Sequence, residues 1–286
     1  MPIVRNYSRY SGNTVLFENL SDFYSTKFRE GIQVVPFGNS HLEILVQDRK
    51  AATTLVLFHA AVNPKQTSLP VFIGKQLTTD LNANLVFVSE PALALGASIG
   101  WYTGTPEMEL QQELVKILGH IQRGLRKAKH LMFYGSSAGG FAALYYSHHF
   151  PNSLAIVANP QTDIAKYHPE HVSNFLKRVW ATDDMDTVPA QTEVLSMYTE
   201  RFPNYVGYLQ NSDDELHIHE HCKPWIAATQ EFKDRRAFLI DDWGEGHAPP
   251  HFFLLQGILQ YATTINGNWA EFLSDESFSA TPNFEP

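Results

Sequence analysis

Short, unbroken apolar runs recur along the chain, and helical patterns lie between most of them. A run of this kind suits a strand that is covered on both faces, as in a parallel sheet. The clear runs span 53–58, 84–89, 130–134, 154–158 and 236–240, and a weaker one spans 205–209. Two earlier β-rich runs, 32–37 and 42–47, are separated by GNS at 38–40 and predict an antiparallel hairpin.

The clearest helical pattern spans 106–127, where apolar residues recur at spacings of three and four. Strands that alternate with helices predict a mostly parallel central sheet with helices on both faces, and therefore an α/β fold. The segment 161–202 interrupts this alternation, and we interpret it as a helical cap insertion over the edge of the sheet. We therefore predict a single domain over 1–286, with its core at about 31–265.

The length and composition fit one large α/β domain of 286 residues, 44% of them apolar and 18% charged. This balance excludes disordered, collagenous and coiled-coil proteins. The net charge of −9 disfavours nucleic-acid partners, which require a basic face. No apolar run reaches the ~18 residues of a membrane-spanning helix, and the N-terminal residues lack the apolar segment of a secretory signal. With one cysteine and hence no intrachain disulfide, we expect a cytoplasmic protein.

The most informative motif is GSSAG at 135–139, which has a buried apolar strand before it and a helix after it. A G-x-S-x-G sequence in this context is typical of a sharp strand-to-helix turn that exposes its central serine, Ser137. The helix N-terminus supplies free N–H groups, so we expect the Ala138 N–H to stabilise an oxyanion. The alternatives are a phosphate-binding loop, which lacks its usual lysine here, and a plain turn.

Around this motif the chain resembles the α/β-hydrolase superfamily, in particular its serine esterases, over about 31–265. That family places a catalytic acid after a later strand and a histidine after the last strand. In the first position, Asn211, Asp214 and His217 fit the family's G-x-x-D-x-x-[V/H] spacing, with asparagine in place of glycine. The resemblance implies Asp214 as the acid, and Asp213 stays open as an alternative. Both carboxylates could instead cap the helix that follows.

The resemblance also implies a general base and a second oxyanion donor. His247 lies in a glycine-bounded loop after the last strand, where it would take the Ser137 proton while Asp214 orients its ring. A solvent-exposed loop histidine is the alternative. The family's second donor comes from the loop after the 53–58 strand, where the small residues Ala60 and Ala61 keep the backbone accessible. We favour the Ala61 N–H.

A weaker resemblance rests on 135–144, on NPQTD at 159–163 and on the Asp214 loop. These short motifs are similar to those of hydrolase-like proteins in surface-polysaccharide systems, especially accessory secretory glycan O-acetyltransferases. The resemblance implies that Asn159, Gln161 and His217 contact a polar substrate, since ligands of open α/β sheets bind at the carboxyl ends of the strands. Asn159 could instead serve only as a turn residue.

The residues carry no cofactor signature, since neither a G-x-G-x-x-G motif after a strand nor a Walker lysine is present. His217, His219 and His221 make a zinc site conceivable, but no pattern for a third ligand accompanies them. We therefore expect neither a metal nor a cofactor, and we interpret Cys222 as a buried apolar residue.

Three hypotheses follow. The first is a serine hydrolase that acts on carboxylic esters, such as an acylated glycan, through an acyl-enzyme. The second is an acyltransferase, for example an O-acetyltransferase, that passes the same acyl group to a sugar. The third is a non-catalytic member of a surface-glycan complex. The expected partners are a small-molecule or glycan ester, and a homo-oligomer stays open.

Overall fold

The computed structural model describes residues 4–10, 12–63, 68–282 and 284. Its centre is a nine-stranded sheet with the order β1-β2-β3-β5-β4-β6-β7-β8-β9. The strands are β1 (Thr14–Leu16), β2 (Gly31–Phe37), β3 (Ser40–Gln47), β4 (Thr53–Phe58), β5 (Asn84–Val88), β6 (His130–Ser136), β7 (Leu154–Ala158), β8 (Tyr205–Asn211) and β9 (Arg236–Asp241). Every strand run expected from the sequence is therefore present, and β1 extends the sheet ahead of the predicted core.

The sheet is mixed, as the hairpin predicted. Strand β3 runs antiparallel to both of its neighbours, β2 and β5. The remaining pairs are parallel, from β5 and β4 through to β9. Because β4, β6, β7, β8 and β9 share one direction, their carboxyl ends meet at one edge of the sheet.

Helices cover both faces of the sheet. They are α1 (Leu20–Ser25), α2 (Leu110–Gly124), α3 (Ala138–His148), α4 (Pro169–Phe175), α5 (Leu195–Glu200), α6 (Glu215–His217), α7 (Lys223–Ala228), α8 (Phe252–Thr264) and α9 (Trp269–Leu273). The apolar residues of α2 and α3 form one core cluster on the first face. Those of α8 and α9 form a second cluster on the other face. This three-layer arrangement confirms the predicted α/β class.

The segment between β7 and β8 is helical, as its composition predicted. It holds α4, a π-helical turn at Leu176–Trp180, and α5. Phe175, Val179 and Tyr198 of this segment are buried in the same cluster as α2 and α3. Its role as a cap, and the domain limits themselves, stay predictions.

None of the helices in the described part of the chain combines the length and apolar character that crossing a bilayer requires. Cys222 is buried, where a thiol behaves as a small apolar residue. Burial also raises the pKa of this thiol, which keeps it protonated and unreactive.

Candidate active site

The GSSAG turn has the strained geometry of a nucleophile elbow. Ser137 separates β6 from α3, with φ 56° and ψ −120°. A Cβ on Gly135 would lie 1.9 Å from the Gly139 carbonyl oxygen, and a Cβ on Gly139 would lie 2.3 Å from the Phe58 carbonyl oxygen. Only glycine fits at these two positions, so the chain can turn tightly and aim the Ser137 side chain over the sheet edge.

Two backbone segments meet beside this serine. Ala138 is the first residue of α3, and its N–H has no hydrogen-bond partner among the described residues. The close approach of Gly139 to Phe58 brings the start of the loop after β4 against the same helix end. This loop contains Ala60 and Ala61, and Ala61 is exposed. The oxyanion roles of Ala138 and Ala61 stay predictions.

Buried polar groups fix the start of the loop after β4. The His59 ring donates from Nδ1 to the Ala60 carbonyl (2.7 Å) and accepts at Nε2 from the Glu90 N–H (3.2 Å). Burial lowers the pKa of His59 to about 4, so the ring is neutral and can make both bonds. The Glu90 carboxyl group accepts in turn from the N–H groups of Ala92 (3.1 Å) and Tyr102 (2.6 Å).

Glu90 makes stability depend on pH. Burial raises its pKa from the ordinary 4.5 to about 7, against the opposing effect of its two N–H donors. The folded state then holds the proton more tightly than the unfolded state, so this contribution is complete below pH 4.5 and is lost as the pH rises through 7. Compared with Glu90→Gln, the wild type should lose about 2–3 kcal/mol of unfolding free energy between pH 5 and pH 8. Parallel denaturant titrations of the two proteins at both pH values would contradict this if their difference stayed constant.

In the loop that follows β8, one carboxylate, that of Asp214, is hydrogen-bonded to two histidines. Asp214 Oδ2 lies 2.5 Å from His247 Nδ1, and Asp214 Oδ1 lies 2.9 Å from His217 Nδ1. The two imidazole rings stack with their centroids 4.0 Å apart. Burial alone would raise the pKa of Asp214, but the hydrogen bonds from the two imidazoles hold it well below its usual range. Asp213 is exposed and accepts from the Gly246 N–H instead (2.7 Å).

A glutamine connects the second histidine to the predicted nucleophile. Gln161 Nε2 lies 3.0 Å from Ser137 Oγ and 2.7 Å from His217 Nε2. Its Oε1 accepts from Trp101 Nε1 at 3.0 Å. An indole N–H can only donate, so this bond fixes the orientation of the amide and leaves both amide hydrogens for Ser137 and His217.

The glutamine therefore sets the protonation of His217. Because Gln161 donates to Nε2, this nitrogen must be the acceptor, and the ring proton lies on Nδ1 facing Asp214. Burial lowers the pKa of His217, which agrees with a neutral ring. His247 differs, because its side chain is 35% exposed and its Nε2 has no hydrogen bond to any described residue.

Trp101 and Tyr167 were not expected from the sequence. Trp101 and the next residue, Tyr102, both have positive φ, at 51° and 55°. Left-handed backbone at such bulky residues is costly, and it clusters at functional sites. The Tyr167 ring packs edge-on against Trp101 (5.9 Å) and His217 (5.8 Å). Neither residue belongs to a motif, so no spacing could have revealed them.

Two asparagines tie the loops of the site together. Asn159 donates to the Ala248 carbonyl and accepts from the Asn211 N–H, both at 2.7 Å. The Asn211 side chain donates to the carbonyls of Gly244 (2.7 Å) and Gly246 (2.6 Å), on the His247 loop. This explains why asparagine stands where the related motif has glycine. Substrate contact by Asn159 stays a prediction, and its buried amide already has protein partners.

Asp214, His217 and His247 are also close enough together to be considered as metal ligands. Both Nδ1 atoms, however, already face carboxylate oxygens at hydrogen-bond distance, and a metal would have to displace both ring protons. Of the other two histidines of the run, His219 is exposed, and His221 accepts from the Thr162 N–H at 3.2 Å. In the structure these three side chains form one hydrogen-bonded group.

No protein-family model and no curated protein sequence matches the chain. Among solved structures, the capsule O-acetyltransferase of Neisseria meningitidis serogroup A is similar over 87% of this chain and 100% of its own, with 16% identity and a TM-score of 0.55. An esterase of Pyrococcus furiosus is similar over 91% of this chain and 95% of its own, with 14% identity and a TM-score of 0.51.

The glycosylation-associated protein complex of Streptococcus agalactiae is similar over 86% of this chain, with 11% identity and a TM-score of 0.56. This chain spans about half of that one, 46% of its length. The chain has the α/β-hydrolase fold. The similarities confirm the predicted fold, and the resemblance to proteins of glycan systems agrees with them at the level of fold.

Proposed function

We propose that the protein hydrolyses carboxylic esters through an acyl-enzyme on Ser137. The observation that carries the proposal is the hydrogen bond that His247 Nδ1 donates to Asp214 Oδ2. Asn159, which follows β7 next to the strained serine elbow, ties the His247 loop to this edge of the sheet through the Ala248 carbonyl. The carboxylate holds the His247 proton on Nδ1 and leaves Nε2 free to act as the base. The unpartnered Ala138 N–H supplies the first oxyanion donor.

In this mechanism His247 Nε2 removes the Ser137 proton as Oγ bonds to the ester carbonyl carbon. The carbonyl oxygen becomes an oxyanion that accepts from the N–H groups of Ala138 and Ala61. The carbon–oxygen bond to the leaving alcohol then breaks, and the imidazolium returns its proton to that alcohol. A water, deprotonated by His247, attacks the acyl-enzyme and releases the acid, which restores Ser137.

Gln161 and His217 act as positioning residues. With Gln161 donating to Ser137 Oγ, the hydroxyl group is held in place and its own hydrogen is directed elsewhere. His217 cannot accept that hydrogen, because its Nε2 already accepts from the same amide. It instead helps to keep Asp214 ionised, which stabilises the imidazolium of His247 during the reaction.

Replacing each histidine separately distinguishes their roles. His247→Gln should reduce kcat by about 10⁵-fold or more, because it removes the base. His217→Gln should reduce kcat by about tenfold to 100-fold, which is typical when a supporting group is lost. Steady-state kinetics on p-nitrophenyl acetate, with circular dichroism to confirm folding, measures both. The reverse order of effects would show that His217 is the base.

A second candidate function is acyl transfer to a sugar hydroxyl. It is favoured by the full-length similarity to a capsule O-acetyltransferase and by the likeness to a glycosylation-associated complex. The acyl-enzyme would be the same, with a sugar in place of water. An ester panel assayed with and without sugar acceptors, and with a chelator as the control for metal dependence, separates the two candidates. Acylated sugar among the products supports transfer, and free acid alone supports hydrolysis.

A further inference from the structure

An apolar groove opens beside the elbow on the face of the sheet that carries α8. Its volume is about 630 Å³, within the usual range for small-molecule sites. Leu57 and Tyr134 of β4 and β6 form its floor, and residues 73–77 and the start of α8 form its walls. Ile73 and Phe252 at its mouth are 52% and 44% exposed, large values for apolar side chains on a folded protein.

The groove adjoins the reaction centre. Its lining includes Ser136, the neighbour of the predicted nucleophile, and Ala60, in the predicted oxyanion loop. Pro249, two residues after His247, also lines it. An apolar group that enters the groove at this end would therefore be attached close to the scissile carbonyl.

Among the described residues that line the groove, no charged group points into it. His59 is neutral, because burial lowers its pKa to about 4. The Lys75 ammonium lies over the Tyr10 ring, 5.4 Å from its centroid. No carboxylate occurs among the described lining residues. Gln161 and His217, by contrast, give the site a polar side.

We propose that this groove binds the acyl chain of the substrate and makes the protein selective for acyl groups longer than acetyl. The proposal rests on ester cleavage at Ser137. An ester of a polar alcohol has one apolar part, its acyl chain, and the groove offers that chain an uncharged surface beside the carbonyl. Burial of each methylene favours binding, and full burial corresponds to about a fourfold gain per methylene.

The test is a chain-length series of p-nitrophenyl esters, from acetate through butyrate and hexanoate to octanoate. For the wild type, kcat/KM should rise by about tenfold to 100-fold along the series, since the chain is only partly enclosed. Phe252→Asp places a carboxylate at the mouth and should lower the ratio of kcat/KM for octanoate to that for acetate at least tenfold. Ile73→Asp, on the other wall, should act in the same direction.

Phe253→Asp is the matched control. Phe253 is the next residue of α8, is 82% exposed and does not line the groove. Both aspartates lie in the first turn of α8, where the helix dipole favours them equally. The control should leave the whole chain-length profile unchanged.

Two results would overturn the proposal. One is a flat or falling wild-type profile although acetate is hydrolysed. The other concerns acetate esters of methanol, butanol and hexanol. If the loss of kcat/KM in Phe252→Asp grows with the length of the alcohol, the groove binds the leaving group and not the acyl chain. If the wild type hydrolyses no ester of the series, from acetate to octanoate, that result contradicts the proposed function and not the groove.

Discussion

Replacing Ser137 with alanine is expected to abolish ester turnover, with a fall in kcat of about 10⁵-fold to 10⁶-fold. The substitution removes the only atom that can carry the acyl group in the proposed mechanism. It should leave the fold intact, because the backbone bonds of Ser137, to Ala158 and to the first turn of α3, are kept although the side-chain bond from Gln161 is lost. Steady-state kinetics on p-nitrophenyl esters measures the loss.

Ser136→Ala is the control for this variant. Ser136 precedes Ser137 in the same turn and lines the apolar groove, yet it has no part in the proposed chemistry. A fluorophosphonate probe should label the wild type and Ser136→Ala but not Ser137→Ala. Labelling that persists in Ser137→Ala would place the nucleophile elsewhere. If no protein is labelled and none turns over esters, a non-catalytic role in a glycan complex gains support.

Asp214→Asn is expected to reduce kcat by about 10⁴-fold. The two imidazoles donate to different oxygens of Asp214, and in an amide one of these positions becomes an NH2 donor. One ring must therefore change its tautomer, and the charge that stabilises imidazolium is lost. Asp213→Asn should cost little, because its remaining amide oxygen can still accept from the Gly246 N–H. Kinetics of the two variants, with unfolding curves to match their stability, makes a paired test on neighbouring residues.

The outcomes of this pair differ in meaning. If Asp213→Asn is inactive and Asp214→Asn is active, the catalytic acid is Asp213, and the rest of the mechanism is unchanged. If both variants stay active, the acid is elsewhere, and the next candidates are Asp241, the last residue of β9, and Asp242, which follows it. The geometry favours Asp214, whose side chain is 5% exposed and bonded to both imidazoles.

The fold could be predicted because its signals are local. Each buried strand is visible in the sequence as an apolar run, and α2 is visible as a periodic pattern of apolar residues. Strand β1 was missed because it has only three residues and pairs with β2 alone, so it shows neither an apolar run nor a periodic pattern. The elbow could also be predicted, since the strand, the glycines and the helix that make it are adjacent in the chain.

The rest of the site depends on contacts between distant residues. Trp101 and Gln161 are 60 residues apart, and Gln161 and His217 are 56 apart, so no motif connects them. Asp214, by contrast, could be proposed from the sequence, because the resemblance that implies it rests on spacing within one loop. The groove was not foreseen either, because coil residues 73–77 form one wall, and coil carries no periodic signal.

The most direct test of the central claim is to trap the acyl-enzyme. With an activated ester such as p-nitrophenyl butyrate, deacylation is expected to be the slower step, so the acyl-enzyme accumulates in the wild type. Rapid mixing, acid quenching within milliseconds and peptide mass spectrometry would then capture any intermediate. The account predicts one butyryl group on the peptide that contains Ser137, and none on the same peptide of Ser137→Ala. A butyryl group on another residue, or release of p-nitrophenol by the wild type with no acylated serine in either protein, would contradict it.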